Sequence, residues 1–144
     1  MSDTLHLEIV TPDGRAFAGD VASVTLPGAE GDLGILPQHA PLLAALRPGE
    51  LSYLPVEPGV GGPGREVFLA VGTGFAEVTG TTVSILTDMA VFPKDVNAEA
   101  AEAELKRAEE ALRSRTLVGE ELEATEASLA RSTAQLHLIH THKA

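Results

Sequence analysis

Apolar and polar residues alternate along short stretches of the first two thirds of the chain. Residues 5–10 (LHLEIV) alternate and then meet Pro12-Asp13-Gly14, and residues 21–26 alternate until Pro27-Gly28. Alternation with a period of two predicts strands with one buried face, and Gly or Pro between the runs predicts turns. Further short runs cover residues 33–36, 42–46, 51–56, 67–71, 75–79 and 82–87. Closely spaced strands without a helical pattern between them indicate an antiparallel sandwich or barrel.

The pattern changes to a helical period after residue 93. Residues 97–113 contain neither Gly nor Pro, and Asn97 is suited to be an N-cap. One predicted helix carries an apolar stripe at Ala101, Leu105, Ala108 and Leu112. A second helix, with Thr116 as its predicted N-cap, carries its stripe at Val118, Leu122, Thr125, Leu129, Ser132, Leu136 and Ile139. Because only a few residues join the two helices, we expect an antiparallel two-helix hairpin.

The predicted hairpin has a thin apolar seam. Alanine makes up half of the first stripe, and Thr125 and Ser132 interrupt the second. Burying an alanine removes much less apolar area from water than burying a leucine, which contributes about 1.5–3 kcal/mol. We therefore expect two helices that can separate or dock elsewhere.

Glycine, proline and charge divide the chain into two regions. Of the 14 glycines, 13 precede residue 81, and eight of the nine prolines precede residue 92. Residues 1–92 hold three basic and eleven acidic side chains, a net charge of −8, whereas residues 93–144 hold seven and ten, a net charge of −3. The division predicts a β-sandwich domain over 1–92 and a helical hairpin domain over 93–144.

Composition excludes several classes of protein. The 144 residues carry a formal net charge of −11 and include no cysteine. An acidic chain is a poor ligand for nucleic-acid phosphates. Without cysteine there is no disulfide scaffold, thiolate zinc site or cysteine nucleophile. No apolar run reaches the roughly 18–20 residues that span a bilayer, and no leader pattern opens the chain, so we expect a soluble, cytoplasmic protein without direct membrane insertion.

The sequence offers no catalytic constellation. No Ser lies in a Gly-x-Ser-x-Gly turn, and no spacing supports a carboxylate pair. His6 is expected to face solvent, and His39 to lie in a stiff loop over residues 36–41. The glycine-rich stretch 57–64 lacks the Lys and the helix start of a phosphate loop, so we interpret it as a hairpin loop. We expect no enzyme, no metal and no cofactor.

Three histidines lie close together near the C-terminal end, His137, His140 and His142. A metal site there lacks a further ligand at suitable spacing, and we expect solvated side chains near a helix C-terminus. If these histidines lie near carboxylates in one state of the hairpin, acidification between pH 6 and 7 would bias that state.

Several strings along the chain are distinctive. The longest is residues 26–43 (LPGAEGDLGILPQHAPLL), and residues 7–14 (LEIVTPDG), 71–78 (VGTGFAEV), 83–88 (VSILTD) and, in the predicted helices, 134–136 (AQL) add to it. Together these strings resemble the epsilon subunit family of the bacterial F-type ATP synthase. The resemblance covers essentially the whole chain and implies a ten-stranded sandwich followed by a two-helix hairpin.

The resemblance also implies a place in the rotor. It implies binding to the gamma subunit and to the membrane ring of c subunits, at the cytoplasmic face of the inner (plasma) membrane, as a peripheral subunit. Carried over by motif, the residues facing the ring are Glu30, Asp32 and His39.

A regulatory role of the hairpin is implied as well. In the family it can extend along gamma into the alpha/beta catalytic head and block ATP hydrolysis, using basic residues against an acidic segment of beta. The candidates here are Lys106, Arg107, Arg113, Arg115 and Arg131. Acidic residues at 120, 121, 123 and 126 dilute this basic face, so weak to moderate inhibition is expected.

Some family members bind ATP through an Ile/Leu-Asp-x-x-Arg-Ala string. Here that string is degenerate. The matching positions include Val96, Asn97, Ala100 and Ala101, where an amide replaces the acid and alanine replaces the arginine. The charged partner for phosphate is missing, so ATP binding is not expected.

Two other classes of protein fit the sequence less well than a rotor subunit. A free-standing β-sandwich binding module with a helical arm would have no reason to carry the run 28–43. A small hydrolase lacks a nucleophile or a metal set.

Overall fold

The computed structural model describes residues 4–56, 65–114 and 116–142. This part of the chain contains nine strands and two long helices. The strands are β1 (Leu5–Thr11), β2 (Gly14–Gly28), β3 (Gly31–Ile35), β4 (His39–Leu46), β5 (Gly49–Pro55), β6 (Val67–Val71), β7 (Gly74–Gly80), β8 (Thr82–Thr87) and β9 (Ala90–Val91). A short 3-10 helix, Pro93–Asp95, precedes α1 (Ala98–Ser114) and α2 (Gly119–Thr141). The predicted fold class, a β-sandwich followed by a helical hairpin, is confirmed. The described residues hold nine strands where about ten were expected, and the predicted loop 57–64 lies outside them.

Strand β2 is long enough to serve both layers of the sandwich. Its first half pairs with β1, and its second half pairs with β5 and β3. The strand order is β1-β8-β7-β4-β2-β5-β6-β9. Because β1 also pairs with β2, the sheet folds back on itself around one core. Strands β1 and β8 are parallel, whereas the sequence predicted only antiparallel pairs. Antiparallel β2 occupies one edge of β1, and β8 lies along the other edge and runs in the same direction as β1.

The core lies between the inward faces of these strands. In β1, Leu5, Leu7 and Ile9 are fully buried while His6 is exposed, which confirms the predicted alternation. Seventeen buried residues form the cluster: Leu5, Leu7, Ile9, Val21, Val24, Leu26, Ile35, Leu46, Leu51, Tyr53, Val67, Leu69, Val71, Ala76, Val78, Val83 and Ile85. All of them belong to strands, so this cluster is complete without the helices.

Tyr53 gives the core a titratable probe. It is the chain's one tyrosine, is only 3% exposed, and its ring centroid lies 4.5 Å from that of Phe17. Burial raises the pKa of Tyr53 from 10.0 to about 12, because a phenolate in apolar surroundings loses its hydration. The unfolded chain therefore loses this proton first. The contribution of the neutral Tyr53 side chain to the free energy of unfolding is therefore fully present below pH 10 and is lost as the pH rises toward 12.

We expect the tyrosinate absorbance of the folded chain to rise with a midpoint near 12, and that of the urea-unfolded chain near 10. The chain has no tryptophan to obscure the signal. Tyr53→Phe is the control, since the variant should lose both the signal and this part of the alkaline destabilisation. A folded-state midpoint near 10 would contradict the prediction.

Helix α1 begins where the sequence predicted. The Asn97 side-chain oxygen accepts a hydrogen bond from the Ala100 N–H at 3.0 Å. Ala101 and Ala108 are buried on α1, and Ser132 is buried on α2. The helices therefore meet through small side chains, and the predicted thin seam is confirmed.

The predicted start of the second helix is wrong. Helix α2 begins at Gly119, with Val118 at the N-cap and no side-chain hydrogen bond there. Leu117 is only 8% exposed. Because Leu117 is buried in the link between the helices, α2 starts after it, and in the described structure Thr116 makes no capping hydrogen bond.

Helix α2 docks the hairpin against the sandwich. It packs on β5, β6 and the 3-10 helix, with Leu136 and Leu138 buried. Leu138 lies off the predicted stripe, because α2 buries one side against α1 and another against the sheet. The hairpin is therefore folded down on the β-sandwich, and the boundary proposed after residue 92 falls between β9 and the 3-10 helix.

Candidate interaction surfaces

An acidic tip joins β2 to β3. Gly28 pairs with Gly31, which leaves Ala29 and Glu30 as a two-residue turn. Gly31 has a φ of 137°, a conformation that favours glycine. Asp32 accepts a hydrogen bond from Arg47 Nη2 at 2.7 Å. Both carboxylates are exposed, but among the described residues Glu30 has no ion-pair partner, so it is the unpaired charge of this tip.

The structure corrects the setting of His39. It is the first residue of β4 rather than part of a loop, and the connection from β3 is residues 36–38 alone. Gln38 has a φ of 67°, and the tight turn it makes allows β4 to start early. The Nδ1 of His39 lies 2.7 Å from the carbonyl oxygen of Ala40, so the ring N–H donates to the local backbone.

The three residues predicted to face the c-ring are not brought to one point. At its far end β4 pairs Leu46 with Gly28, beside the acidic tip. His39 begins the other end of the strand, roughly 20 Å away at about 3.3 Å per residue. Glu30 and Asp32 share the tip, His39 does not, and the assignment of all three to a ring contact stays a prediction.

An apolar patch, which the sequence analysis missed, lies on the outer face of β4, β7 and β8. Leu43, Phe75 and Leu86 are 71%, 56% and 57% exposed. The register places Phe75 between Ala45 and Leu86, and Leu43 lies two residues from Ala45 on the same face. These four residues are called the apolar patch below. Single exposed apolar residues are ordinary, but a contiguous group marks an interaction surface.

A cleft connects the apolar patch to the acidic tip. It has a volume of about 540 Å³ and is lined by both segments, including Ala29, Glu30, Leu43 and Ala45. The Ala29 N–H donates to the Ala45 carbonyl at 2.8 Å, which fixes the tip against β4. Patch, cleft and tip thus form one surface with an apolar centre and an acidic rim.

The candidate inhibitory residues are held in different ways. Lys106, Arg107 and Arg113 are exposed on α1. The Arg131 Nη2 lies 3.6 Å from Glu104 Oε2. That carboxylate also accepts from the Ser128 hydroxyl at 2.7 Å, so Arg131 is engaged at the seam between the helices. Arg115 lies outside the described residues.

The positions matching the ATP string serve to start α1. Val96 ends the 3-10 helix and Asn97 caps α1. Ala100 is exposed and Ala101 is buried. No charged group lies at these positions, and the absence of ATP binding stays a prediction.

The three C-terminal histidines differ sharply. The expectation of solvated side chains is wrong for His142, because the sandwich binds its ring and its Nε2 lies 3.0 Å from Glu50 Oε1. His137 and His140 are exposed, as expected. Over the described ranges no three His, Asp or Glu side chains are placed to hold a metal ion. No described helix is both long and apolar enough to cross a membrane.

Comparison with known families covers nearly the whole chain. A family model for the β-sandwich domain of the ATP synthase delta/epsilon chain matches residues 4–93, and one for its long α-helix domain matches residues 94–140. The ATP synthase epsilon chain of Halorhodospira halophila is 39% identical over 140 residues, 96% of this chain and 94% of that one. That of Alkalilimnicola ehrlichii is 38% identical over 136 residues, 94% and 92% of the two chains.

Two solved structures share the fold. A chain of the Euglena gracilis mitochondrial ATP synthase, in its OSCP/F1/c-ring assembly, matches with a TM-score of 0.77 at 22% identity, over 97% of this chain and 84% of that one. A chain of the Tetrahymena thermophila mitochondrial ATP synthase central stalk and c-ring matches with a TM-score of 0.56 at 15% identity, over 95% of each. At these identities the likeness concerns the fold.

Proposed function

Since the chain belongs to the ATP synthase delta/epsilon chain family, we propose that it is a non-catalytic rotor subunit that couples gamma to the membrane c-ring during proton-driven ATP synthesis. It would sit on the cytoplasmic face of the inner (plasma) membrane as a peripheral subunit. Its partners are gamma, the c-ring and, when the hairpin extends, the alpha/beta head.

The observation that carries the coupling proposal is the surface formed by patch, cleft and tip. Gamma covers the apolar patch, because a group of exposed Leu and Phe side chains on a rigid sheet is stabilised by an apolar partner surface. Glu30 and Asp32 then meet basic loops of the ring. His39 shares this role only if the ring contact is broad, since the length of β4 separates it from the tip.

The observation that supports inhibition is the small apolar area buried between α1 and α2. Ala101, Ala108 and Ser132 contribute little apolar area to the seam, so separating the helices costs little. Extension releases Arg131 from Glu104 and adds it to the exposed Lys106, Arg107 and Arg113, with Arg115 included by resemblance. Together these cations would meet an acidic segment of beta and slow ATP hydrolysis.

One assembly experiment tests both parts. The tagged full chain, and the same chain without residues 93–144, are each combined with gamma, alpha and beta. We expect both to bring down gamma, because the patch lies on the sandwich and the core cluster contains no helical residue. Complexes with the truncated chain should hydrolyse ATP about two- to fivefold faster than complexes with the full chain. This is the effect expected if the equilibrium between the docked and the extended hairpin is biased by up to about 1 kcal/mol.

The triple variant Lys106→Ala, Arg107→Ala, Arg113→Ala is the matched control with the hairpin retained, and should give part of the rise. Equal hydrolysis rates with and without residues 93–144 would refute the inhibitory role. Failure of the full chain to bring down gamma would refute the coupling role and favour a free-standing binding module.

A further inference from the structure

The last residue described in the hairpin is bound by the sandwich. His142 follows α2, and its backbone N–H donates to the Leu138 carbonyl at 2.8 Å. Its ring stacks on Phe68 of β6, with centroids 3.6 Å apart and planes 7° from parallel. Its Nε2 lies 3.0 Å from Glu50 Oε1 of β5. The backbone of His142 thus belongs to the hairpin, while its side-chain partners belong to two strands of the sheet.

This contact is the strongest polar tie between hairpin and sandwich among the described residues. In the other described polar contact between them, the Gln135 side-chain amide lies 3.1 Å from the sulfur of Met89. A thioether is a weak hydrogen-bond acceptor. His137 and His140 belong to the last turns of the same helix but are exposed, and their side chains form no hydrogen bond or ion pair with another described residue. Position 142 is therefore distinguished from its two histidine neighbours.

Glu50 depends on His142 for its partner. The two side chains are 26% and 25% exposed, and the second carboxylate oxygen of Glu50, Oε2, is buried without a hydrogen bond in the described structure. The adjoining cavity, about 560 Å³, is also lined by Asp32, Arg47, Glu126 and His137. Arg47 is already bound to Asp32 at 2.7 Å, so apart from His142 no described side chain is paired with Glu50.

We propose that His142, Glu50 and Phe68 form a latch that holds the hairpin down and sets the fraction of chains in which it is docked. Without His142, docking leaves a partly buried carboxylate unpartnered, which opposes the docked state. Loss of the ring also exposes one face of Phe68. The inference rests on the proposed function to the extent that release of the hairpin matters only if the hairpin regulates the complex.

The test measures docking in the isolated full chain. Because the chain has no cysteine, Asp13→Cys on the sandwich and Glu123→Cys on α2 accept spin labels selectively, and pulsed electron paramagnetic resonance reports their distances. We expect one main distance in the labelled parent. His142→Ala should raise the undocked fraction at least about fivefold, the effect of one typical hydrogen bond.

His140→Ala is the matched control and should leave the distance distribution unchanged. His142→Phe keeps an aromatic ring over Phe68 without the hydrogen bond, and should fall between the parent and His142→Ala. Circular dichroism confirms that each variant keeps its sandwich. If His142→Ala and His140→Ala give the same distribution as the parent, the latch does not exist.

Hydrolysis by the assembled complex separates this inference from the proposed function. If His142→Ala opens the isolated chain and increases inhibition, the latch and the regulatory role both stand. If it opens the isolated chain and leaves hydrolysis unchanged, the latch stands and the regulatory role fails. If the isolated chain stays closed, the latch fails whatever the complex does.

Discussion

Replacing Phe75 by aspartate should weaken binding to gamma by roughly 30- to 1,000-fold, equivalent to about 2–4 kcal/mol. Phe75 is 56% exposed and lies at the centre of the apolar patch, between Ala45 and Leu86 in the cross-strand register. Truncating a central aromatic removes contact area, and a carboxylate placed against an apolar partner loses hydration without compensation. The side chain points away from the core, so the variant should fold normally.

The measurement is a binding titration against a gamma–alpha–beta complex that lacks this subunit. Val118→Asp is the matched control, because Val118 is 72% exposed but lies at the start of α2, away from the patch. The control should bind like the parent. Parent-like affinity of the Phe75→Asp chain would show that gamma does not cover the patch, whatever the family of the chain.

Much of the sandwich could be predicted from the alternation of apolar and polar residues. Leu5, Leu7 and Ile9 are buried on one face of β1 and His6 is exposed, as a period of two requires. The first half of β2 escaped prediction, because residues 14–20 carry small and mixed side chains and form a strand mainly by backbone pairing with β1. Strand β9 has only two residues, too few to show any period.

The helices show which signals are local and which are not. The Asn97 cap is a local signal, because one side chain satisfies a backbone donor three residues away. The start of α2 is not local, since it depends on burial of Leu117 against other elements. Burial of Leu138 is not local either, because it requires the sheet that α2 packs against.

Among the interaction surfaces, too, some were indicated by local sequence signals and others depend on the assembled fold. The turn after residues 21–26 was indicated by Pro27-Gly28 at the end of that apolar run, whereas Glu30 and Asp32 were assigned only by resemblance to the family. The apolar patch was missed because its residues look like core residues until the sheet is assembled. The available signal was that Leu42 and Leu43 are consecutive apolar residues, so one of them must face outward from β4. The contact between Glu50 and His142 joins residues far apart in the chain, and no spacing rule reaches that distance.

Gly74→Ala should lower the free energy of unfolding by at least about 3 kcal/mol, at the upper end of what overpacking costs. A Cβ atom at Gly74 would lie 1.9 Å from the Leu86 carbonyl oxygen and 2.8 Å from the Thr87 Cα. Both are backbone atoms of β8, which pairs with β7 through the register of Gly74 with Thr87. Relief therefore requires the strands to move apart, because no side chain can rotate away.

Two other glycines provide a graded comparison. At Gly72 an added Cβ would lie 1.8 Å from Asp88 Oδ1, the end of a side chain that also accepts from the Thr73 hydroxyl at 3.1 Å. That carboxylate can rotate away at the expense of one hydrogen bond, so Gly72→Ala should cost about 1 kcal/mol. At Gly34 an added Cβ would meet nothing within 4 Å, and Gly34→Ala should be neutral or slightly stabilising. Urea unfolding followed by far-ultraviolet circular dichroism ranks the three, and equal stability of the Gly74→Ala and Gly34→Ala chains would show that β7 and β8 are not packed as closely as the register implies.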